Sequence, residues 1–355
     1  MNIPAYLRNV WNSALIVAIS LLSFFSCNSA IYDDEGDCSV HYRLKFRYDR
    51  NLKWADAFAH EVSSVELYAF DRQGVLVWQY AERVDSHVAD DYSVRLDLPA
   101  GDYRLLAWCG LQNDGEREES FSVPETRVGV TRIEELQCRL TRKHDESGQA
   151  YSKERLYPLF HGSLDVELPT DEDGGEYTYT MSLTKDTNHI RVILQHISGE
   201  DVDVGKFEFR IEDENGLLDH KNCLQTDEPI EYRTWKTQNG EAGIGKEDAR
   251  AIIYAKGAIA DLTVGRMMAM HKKRMILTID NDEGETVAQV PVIDYALLAK
   301  NYYEEQYGHV MTDQEFLDRE DDYVLTFFLD ENNKWSKSYI LIHAWRVVPQ
   351  DVGLH

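Results

Sequence analysis

Apolar and polar side chains alternate without exception in VHYRLKFRYD, residues 40–49. A period of two places the apolar residues, from Val40 to Tyr48, on one face of an extended chain. The polar residues then occupy the opposite face. This pattern predicts a half-buried β-strand at the start of an all-β fold.

Similar segments follow, separated by turn residues. DRQG at 71–74 offers a glycine for positive φ between strands predicted at 62–70 and 75–80. In PAGD at 99–102, proline presets φ and glycine takes the left-handed position of a type II turn. Further strands are predicted at 92–98, 103–108, 121–123, 136–140 and 163–168. Short strands at this spacing are typical of a β-sandwich.

The acidic stretch PTDEDGG at 169–175 interrupts the strand pattern and is the best linker in the chain. We therefore expect an N-terminal domain at 38–172 and a C-terminal domain at 173–355. Strands of the second half are predicted at 177–183, 189–196, 206–212, 275–280, 286–290, 323–329 and 338–348. Residues 249–264 fit a helix or a strand, and the apolar spacing at 294–307 and 313–319 predicts helices. The second domain is thus expected to be a sandwich with a helical insertion.

The chain is strongly acidic. Its 355 residues include 37 Lys and Arg against 63 Asp and Glu, a net charge of −26. Such a chain repels nucleic acid, and an anionic membrane surface offers it no electrostatic attraction. We therefore expect no nucleic-acid partner and look for a covalent device if the protein is held at a membrane.

The N-terminus supplies that device. Residues 1–26 contain Arg8 and no acid, and the apolar run Ala14–Phe25 is too short to span a bilayer but suits a secretory signal. The run ends at Cys27 and not at an Ala-x-Ala site, which is the lipoprotein pattern. We expect residues 1–26 to be a signal peptide and Cys27 to carry the lipid; the alternatives are an ordinary signal peptide with an incidental cysteine, or an uncleaved anchor.

An acidic tether is predicted at 27–37, with Asp33, Asp34, Glu35 and Asp37 shortly after the lipidated cysteine. Such a cluster resembles the surface-export signal of Bacteroidota lipoproteins, although a merely solvated spacer has the same composition. We expect the mature protein to be lipid-anchored in the outer membrane and exposed at the cell surface.

Four cysteines remain once Cys27 is acylated: Cys38, Cys109, Cys138 and Cys223. They allow three pairings. Cys109 lies in an apolar strand, where its thiol is expected to be packed among apolar side chains. We therefore favour a disulfide between Cys38 and Cys138. No two cysteines have the spacing of a zinc clip.

No motif in the sequence predicts catalysis. The H-E-x-x-H, G-x-S-x-G and P-loop patterns are absent. Asp280–Gly284 departs from the spacing of a calcium loop and fits a hairpin turn. Carboxylate pairs arise by chance in so acidic a chain. We expect no catalytic residue, metal site or cofactor; tryptophans that could stack on sugars include Trp54, Trp78, Trp235, Trp335 and Trp345, although Trp345 fits a core position.

Several stretches resemble one family. They are the lipoprotein start at Cys27 with IYDD at 31–34, FRYDRNLKWADAF at 46–58, VELYAFD at 65–71, LDLPAGDY at 96–103, FLDRE at 316–320 and WRVV at 345–348. The chain resembles the fimbrillin-A-associated anchor proteins of Bacteroidales, the FimB/Mfa-like outer-membrane lipoproteins. Arg50 and Cys109 stand where the family pattern favours Tyr or Gly, a departure that concerns packing only.

The resemblance implies two transthyretin-like or Ig-like β-sandwich domains and a role in anchoring or capping fimbriae, in fimbrial assembly and in adhesion. Fimbrial subunits are the implied partners, joined by β-strand addition. We expect this chain to receive a strand, because residues 349–355 make a poor donor and the other end is committed to lipid. The alternatives are face-to-face docking, a surface glycan-binding lipoprotein with an exposed aromatic platform, and an enzyme with a concave site.

Overall fold

A computed structural model describes residues 40–84, 92–112, 118–170, 175–245, 252–271, 274–330, 334–342 and 345–347. For 241–245, 252–256, 306–307, 336–342 and 345–347 only the backbone is described. The fold is all-β with short helices, as predicted. Two β-sandwiches account for most of the described chain, and the predicted fold class is confirmed.

Twelve strands precede residue 186. They are β1 Val40–Arg47, β2 Ser64–Phe70, β3 Leu76–Arg83, β4 Ser93–Leu96, β5 Gly101–Cys109, β6 Phe121–Ser122, β7 Cys138–Leu140, β8 Lys143–His144, β9 Ala150–Ser152, β10 Phe160–Leu168, β11 Gly175–Ser182 and β12 Thr184–Lys185. The N-terminal sandwich packs a three-stranded sheet, ordered β11-β1-β4, against a five-stranded sheet, ordered β12-β10-β5-β2-β3. Its core contains the apolar face of β1 that the alternation predicts, including Leu44 and Phe46.

Strand β5 departs from simple alternation for a physical reason. All five residues of 105–109 have no exposed surface. Leu105 and Ala107 face the core of the N-terminal sandwich, whereas Leu106 and Trp108 belong to the core that continues into the other half of the molecule. The five-stranded sheet is thus covered on both faces along 105–109, and its central strand is apolar at each of these five positions.

Eleven strands follow. They are β13 Asn188–His196, β14 Phe207–Asp213, β15 Leu217–Leu218, β16 Ile230–Arg233, β17 Lys236–Gly245, β18 Ile252–Val264, β19 Ile276–Asn281, β20 Thr286–Pro291, β21 Asp322–Leu329, β22 Trp335–Ile342 and β23 Trp345–Val347. They form two six-stranded sheets, β17-β18-β13-β21-β22-β23 and β20-β19-β14-β16-β9-β8. The segment at 249–264 that fitted helix or strand is therefore a strand in its described part, and the single strand predicted at 338–348 is two.

The described residues form four α-helices: α1 Phe58–Glu61, α2 Val292–Leu297, α3 Lys300–Tyr307 and α4 Asp313–Arg319. They also form three short 3-10 helices at Ile133–Glu135, Val204–Lys206 and Ala269–His271. Helix α4 has the predicted bounds, and Thr312 caps it by accepting a hydrogen bond from the N–H of Glu315. The helix predicted at 294–307 is two short ones. The helical insertion in the second sandwich is accordingly small.

Strand pairing does not follow the domain boundary predicted at 172/173. Strand β11 lies beyond that boundary but pairs in parallel with β1, in register from Val40 and Gly175 to Arg47 and Ser182. Strands β8 and β9 lie before it but extend a sheet of the C-terminal sandwich, where β9 pairs with β16. Strands β6 and β7, predicted as part of the N-terminal sandwich, form a separate small sheet with β15. The chain therefore crosses between the two sandwiches more than once.

A buried ion pair fixes the segment that holds β7 and β8. The guanidinium of Arg142 lies 2.6 Å from the carboxylate of Asp227, and the two side chains are 5% and 6% exposed. Arg142 also donates to the carbonyl oxygens of Leu140 and Gly216. These hydrogen bonds satisfy a charge that burial would otherwise make costly.

Contacts at the junction join α4 to the N-terminal sandwich. The guanidinium of Arg319 lies 4.2 Å from the ring centroid of Trp54, and its carbonyl accepts a hydrogen bond from Leu52 at 3.2 Å. Lys185 of β12 forms an ion pair with Asp321, just after α4. The two sandwiches are thus joined by side-chain contacts as well as by the chain.

Candidate docking edge of the N-terminal sandwich

The two sheets of the N-terminal sandwich differ in width by two strands, so that in the described chain no strand covers one edge of the wider sheet. Strand β4 ends the narrower sheet, whereas β3 ends the wider one. The β2–β3 register places Trp78 opposite Ala69 and Tyr80 opposite Leu67. Because paired residues point to the same face of a sheet, these two rings lie on the inner face of β3. Within the part of the chain that the structure describes, the narrower sheet has no strand there to cover them.

Aromatic rings line this uncovered edge. The rings of Trp78 and Tyr80 have centroids 6.0 Å apart and planes inclined by 8°. Beside β4, Phe58 stacks on Tyr92 and on Phe46, with both centroid distances 5.6 Å. Trp78, Tyr80 and Tyr92 are half-buried. The edge therefore presents apolar surface that a further layer could bury.

Glu82 connects the two groups of rings. Its carboxylate accepts hydrogen bonds from the hydroxyl groups of Tyr80, at 2.6 Å, and Tyr92, at 2.9 Å. Burial and the hydrogen bond to Glu82 raise the pKa of Tyr80 to about 12, and the same causes raise the pKa of Tyr92. Both hydroxyls stay protonated at physiological pH and hold Glu82 on the inner side of β3.

Strand β4 offers backbone groups for pairing. It pairs with β1 from Lys45 to Tyr42, and among the described residues its other side carries no partner strand. An edge strand exposes N–H and C=O groups that an extended segment can satisfy. We refer to β4 together with Trp78, Tyr80 and Glu82 as the open edge.

Two concavities lie on this sandwich. One, of about 400 Å³, is beside the open edge; its lining includes Phe46, Phe58 and Tyr92. The other, of about 570 Å³, lies at the hairpin turns, where Arg104 binds Asp165 through two hydrogen bonds of 2.6 and 2.9 Å. Among the described residues no group of three or more His, Cys, Asp or Glu could hold a metal ion.

The structure brings none of the predicted cysteine sites into the open edge. Cys27 and Cys38 lie outside the described residues. Cys138 is fully buried in β7 and carries no disulfide to another described residue, so the pairing with Cys38 stays a prediction. Cys109 is packed in β5, as expected. In the described part of the chain no helix has the length and apolar character needed to cross a membrane.

Sequence reasoning named Trp78 among possible stacking residues but missed Tyr80, Glu82 and Tyr92. The signal was present in β3, where aromatic residues two positions apart share a face. What the sequence lacked was the width of the facing sheet, which decides whether such a face is covered.

Two sandwiches with an unpaired sheet edge define a class of all-β proteins able to add a strand from a partner. The chain belongs to the family of Fimbrillin-A associated anchor proteins Mfa1 and Mfa2, whose sequence profile matches residues 34–351. The predicted resemblance is confirmed. A candidate adhesin from Bacteroides thetaiotaomicron is 31% identical, with a TM-score of 0.73 over 89% of this chain and 99% of that one.

Two further relatives are informative. A candidate polysaccharide-binding protein from the same species is 27% identical, with a TM-score of 0.70 over 88% of this chain and 99% of that one. The minor fimbrium anchoring subunit Mfa2 of Porphyromonas gingivalis is 24% identical over 194 residues, which are 54% of this chain and 56% of that protein. The alignment thus spans little more than half of that subunit.

Proposed function

We propose that the protein is an outer-membrane lipoprotein that anchors fimbriae at the cell surface and receives a β-strand from a fimbrial subunit at the open edge. Membership of the anchor family supports the association with fimbriae. The unequal width of the two sheets supports the site, since a strand added to β4 would lie over Trp78 and Tyr80. Such a strand gains main-chain hydrogen bonds from β4 and buries its apolar face on the two rings.

The open edge is tested by a charge on its inner face. Replacing Tyr80 with Lys removes the ring from under the added strand and puts an ammonium group there. Burying that group together with Glu82 costs more in desolvation than their attraction returns. We expect fimbriae to be shed into the medium and subunit binding to fall by about 100-fold or more, a loss of about 3 kcal/mol. Electron microscopy of cells and binding to purified subunits measure the two effects.

Ala81→Lys is the matched control. Ala81 is the next residue of β3 but is exposed on the opposite face. The Ala81→Lys variant should leave the attachment of fimbriae unchanged. Normal attachment with Tyr80→Lys, or an equal loss with both variants, would show that partners dock elsewhere.

Glycan binding is a second candidate, because the rings of Trp78 and Tyr80 are nearly parallel and one relative is a candidate polysaccharide-binding protein. The rings are half-buried and only two are aligned, which favours the anchor. Trp78→Ala separates the two functions. If the site binds glycan, the Trp78→Ala variant is no longer retained on a polysaccharide gel but keeps its fimbriae. If the site is an anchor for a fimbrial strand, the unmodified protein is not retained on the gel either.

A further inference from the structure

The short linker between the two sandwiches contains a fully buried acid. Asp186 and Thr187 connect β12 of the N-terminal sandwich to β13 of the C-terminal one. The side chain of Asp186 has no exposed surface, and its backbone N–H donates to the carbonyl of Leu159 at 2.7 Å. The charge state of this carboxyl therefore matters for the packing of the junction.

Two carboxyl groups share one buried guanidinium. Arg266 donates to Asp186 at 3.1 Å and to Asp318 at 2.8 Å. Asp318 also accepts a hydrogen bond from Gln314 at 2.8 Å, and its side chain is 15% exposed. When two acids compete for one cation, the more buried acid is the one that stays neutral. Because Arg266 is shared, it compensates an ionised Asp186 only in part.

The hydrogen bonds around Asp186 leave a place for a proton. The side-chain amide of Asn222 donates to Oδ1 of Asp186 at 2.8 Å. Oδ2 of Asp186 and Oδ1 of Asn222 are both buried and have no hydrogen-bond partner. Both atoms are acceptors when Asp186 is ionised. A proton on Oδ2 of Asp186 could be donated to Oδ1 of Asn222. The carboxyl and the amide would then form two hydrogen bonds with each other.

We propose that Asp186 is neutral in the folded protein at physiological pH, with its proton on Oδ2 donated to Asn222, and that its ionisation at alkaline pH weakens the junction. Burial raises the pKa of Asp186 to about 8; Arg266 acts against this and Asp318 acts with it. The proposal is independent of the anchoring function.

Most titratable groups near Asp186 keep one protonation state between about pH 6 and pH 8. Burial lowers the pKa of His161 to about 4 and raises those of the Cys138 thiol and the Tyr48 hydroxyl, so these groups stay neutral. Lys185, the preceding residue, has a raised pKa and stays cationic. Glu320 differs, because burial raises its pKa to about 8 as well. Its titration has to be removed before that of Asp186 can be measured.

The sign of the effect follows from linkage. An unfolded chain loses the proton of Asp186 near the ordinary value of 3.8, whereas the folded chain keeps it to about pH 8. The folded state therefore holds one more proton from about pH 5 to about pH 8. Across that window the folding constant falls tenfold per pH unit because of this one group.

The test measures urea unfolding of the mature lipoprotein in detergent micelles between about pH 6 and pH 8, in a Glu320→Gln background. Asp186→Asn keeps the shape and the bond to Asn222 but cannot ionise. We expect it to be the more stable protein already at about pH 6, because the unfolded parent has lost its proton there and the folded parent has not. This advantage should grow up to about pH 8, so that the variant lowers the pH dependence by about tenfold per unit.

Asp318→Asn provides an independent readout in the same background. It removes the neighbouring charge that favours the neutral form, so the pKa of Asp186 in the folded protein should fall and the pH dependence should flatten toward about pH 8. A constant loss of stability for Asp186→Asn at every pH, with an unchanged slope, would show an ionised Asp186 and overturn the proposal. If Asp186→Asn does not fold, an unchanged slope in Asp318→Asn overturns it alone.

Discussion

Replacing Cys27 with Ala is expected to move the protein from the membrane fraction to the soluble fraction. The apolar signal ends at Ser26 and Cys27, and removal of residues 1–26 leaves a mature chain with a net charge of −27. So acidic a protein has no electrostatic hold on an anionic membrane. Each buried CH₂ of an acyl chain contributes about 0.8 kcal/mol, so several chains on Cys27 account for stable attachment.

Cell fractionation and metabolic labelling with a fatty acid measure the effect of Cys27→Ala. The matched control is Cys223→Ala, which removes an exposed cysteine from a turn of the C-terminal half and leaves the signal intact. The control should stay labelled and membrane-bound. Undiminished labelling of Cys27→Ala would mean that the lipid is attached elsewhere.

Replacing Arg142 with Met is expected to lower the free energy of unfolding by about 3 kcal/mol, because the buried Asp227 loses its buried counter-ion and keeps only the exposed Arg139 as a partner. Arg139→Met is the control. Arg139 lies 3.2 Å from the same carboxylate but its side chain is 52% exposed, so its loss should cost about 0–1 kcal/mol. Urea unfolding of the mature chain measures both values.

A double variant, Arg142→Met with Asp227→Leu, removes both charges and should recover most of the stability lost in the single variant. Equal effects of Arg142→Met and Arg139→Met would mean that the buried geometry contributes nothing beyond a surface pair.

Local pattern predicted local structure well. The alternation at 40–49 predicted β1 and its buried face, and the spacing at 313–319 predicted α4 with its bounds. The motif at Asp280–Gly284 is a hairpin turn as predicted, with Gly284 at φ +79° and Asn281 accepting from the backbone N–H of Glu285. In each case neighbouring residues carry the whole signal.

Non-local pairing was missed. The linker at 169–175 is a plausible break by composition, yet β11 returns to β1 across it because a parallel partner can lie anywhere along the chain. No residue near β8 and β9 indicates that their sheet belongs to the other half. The open edge was missed for the same reason, since Tyr80 is uncovered only because the facing sheet stops at β4.

The parallel pairing of β1 with β11 has a mechanical consequence for the proposed lipid anchor at Cys27. Tension from the membrane side would enter the described chain at Val40 and act along β1. Eight residues of β1 are in register with β11, and the hydrogen bonds between strands lie across the strand axis. A load along that axis shears all of these bonds together, whereas a load at right angles would unzip them one by one. The pairing with β11 thus lets β1 resist a pulling force from the anchored end of the chain.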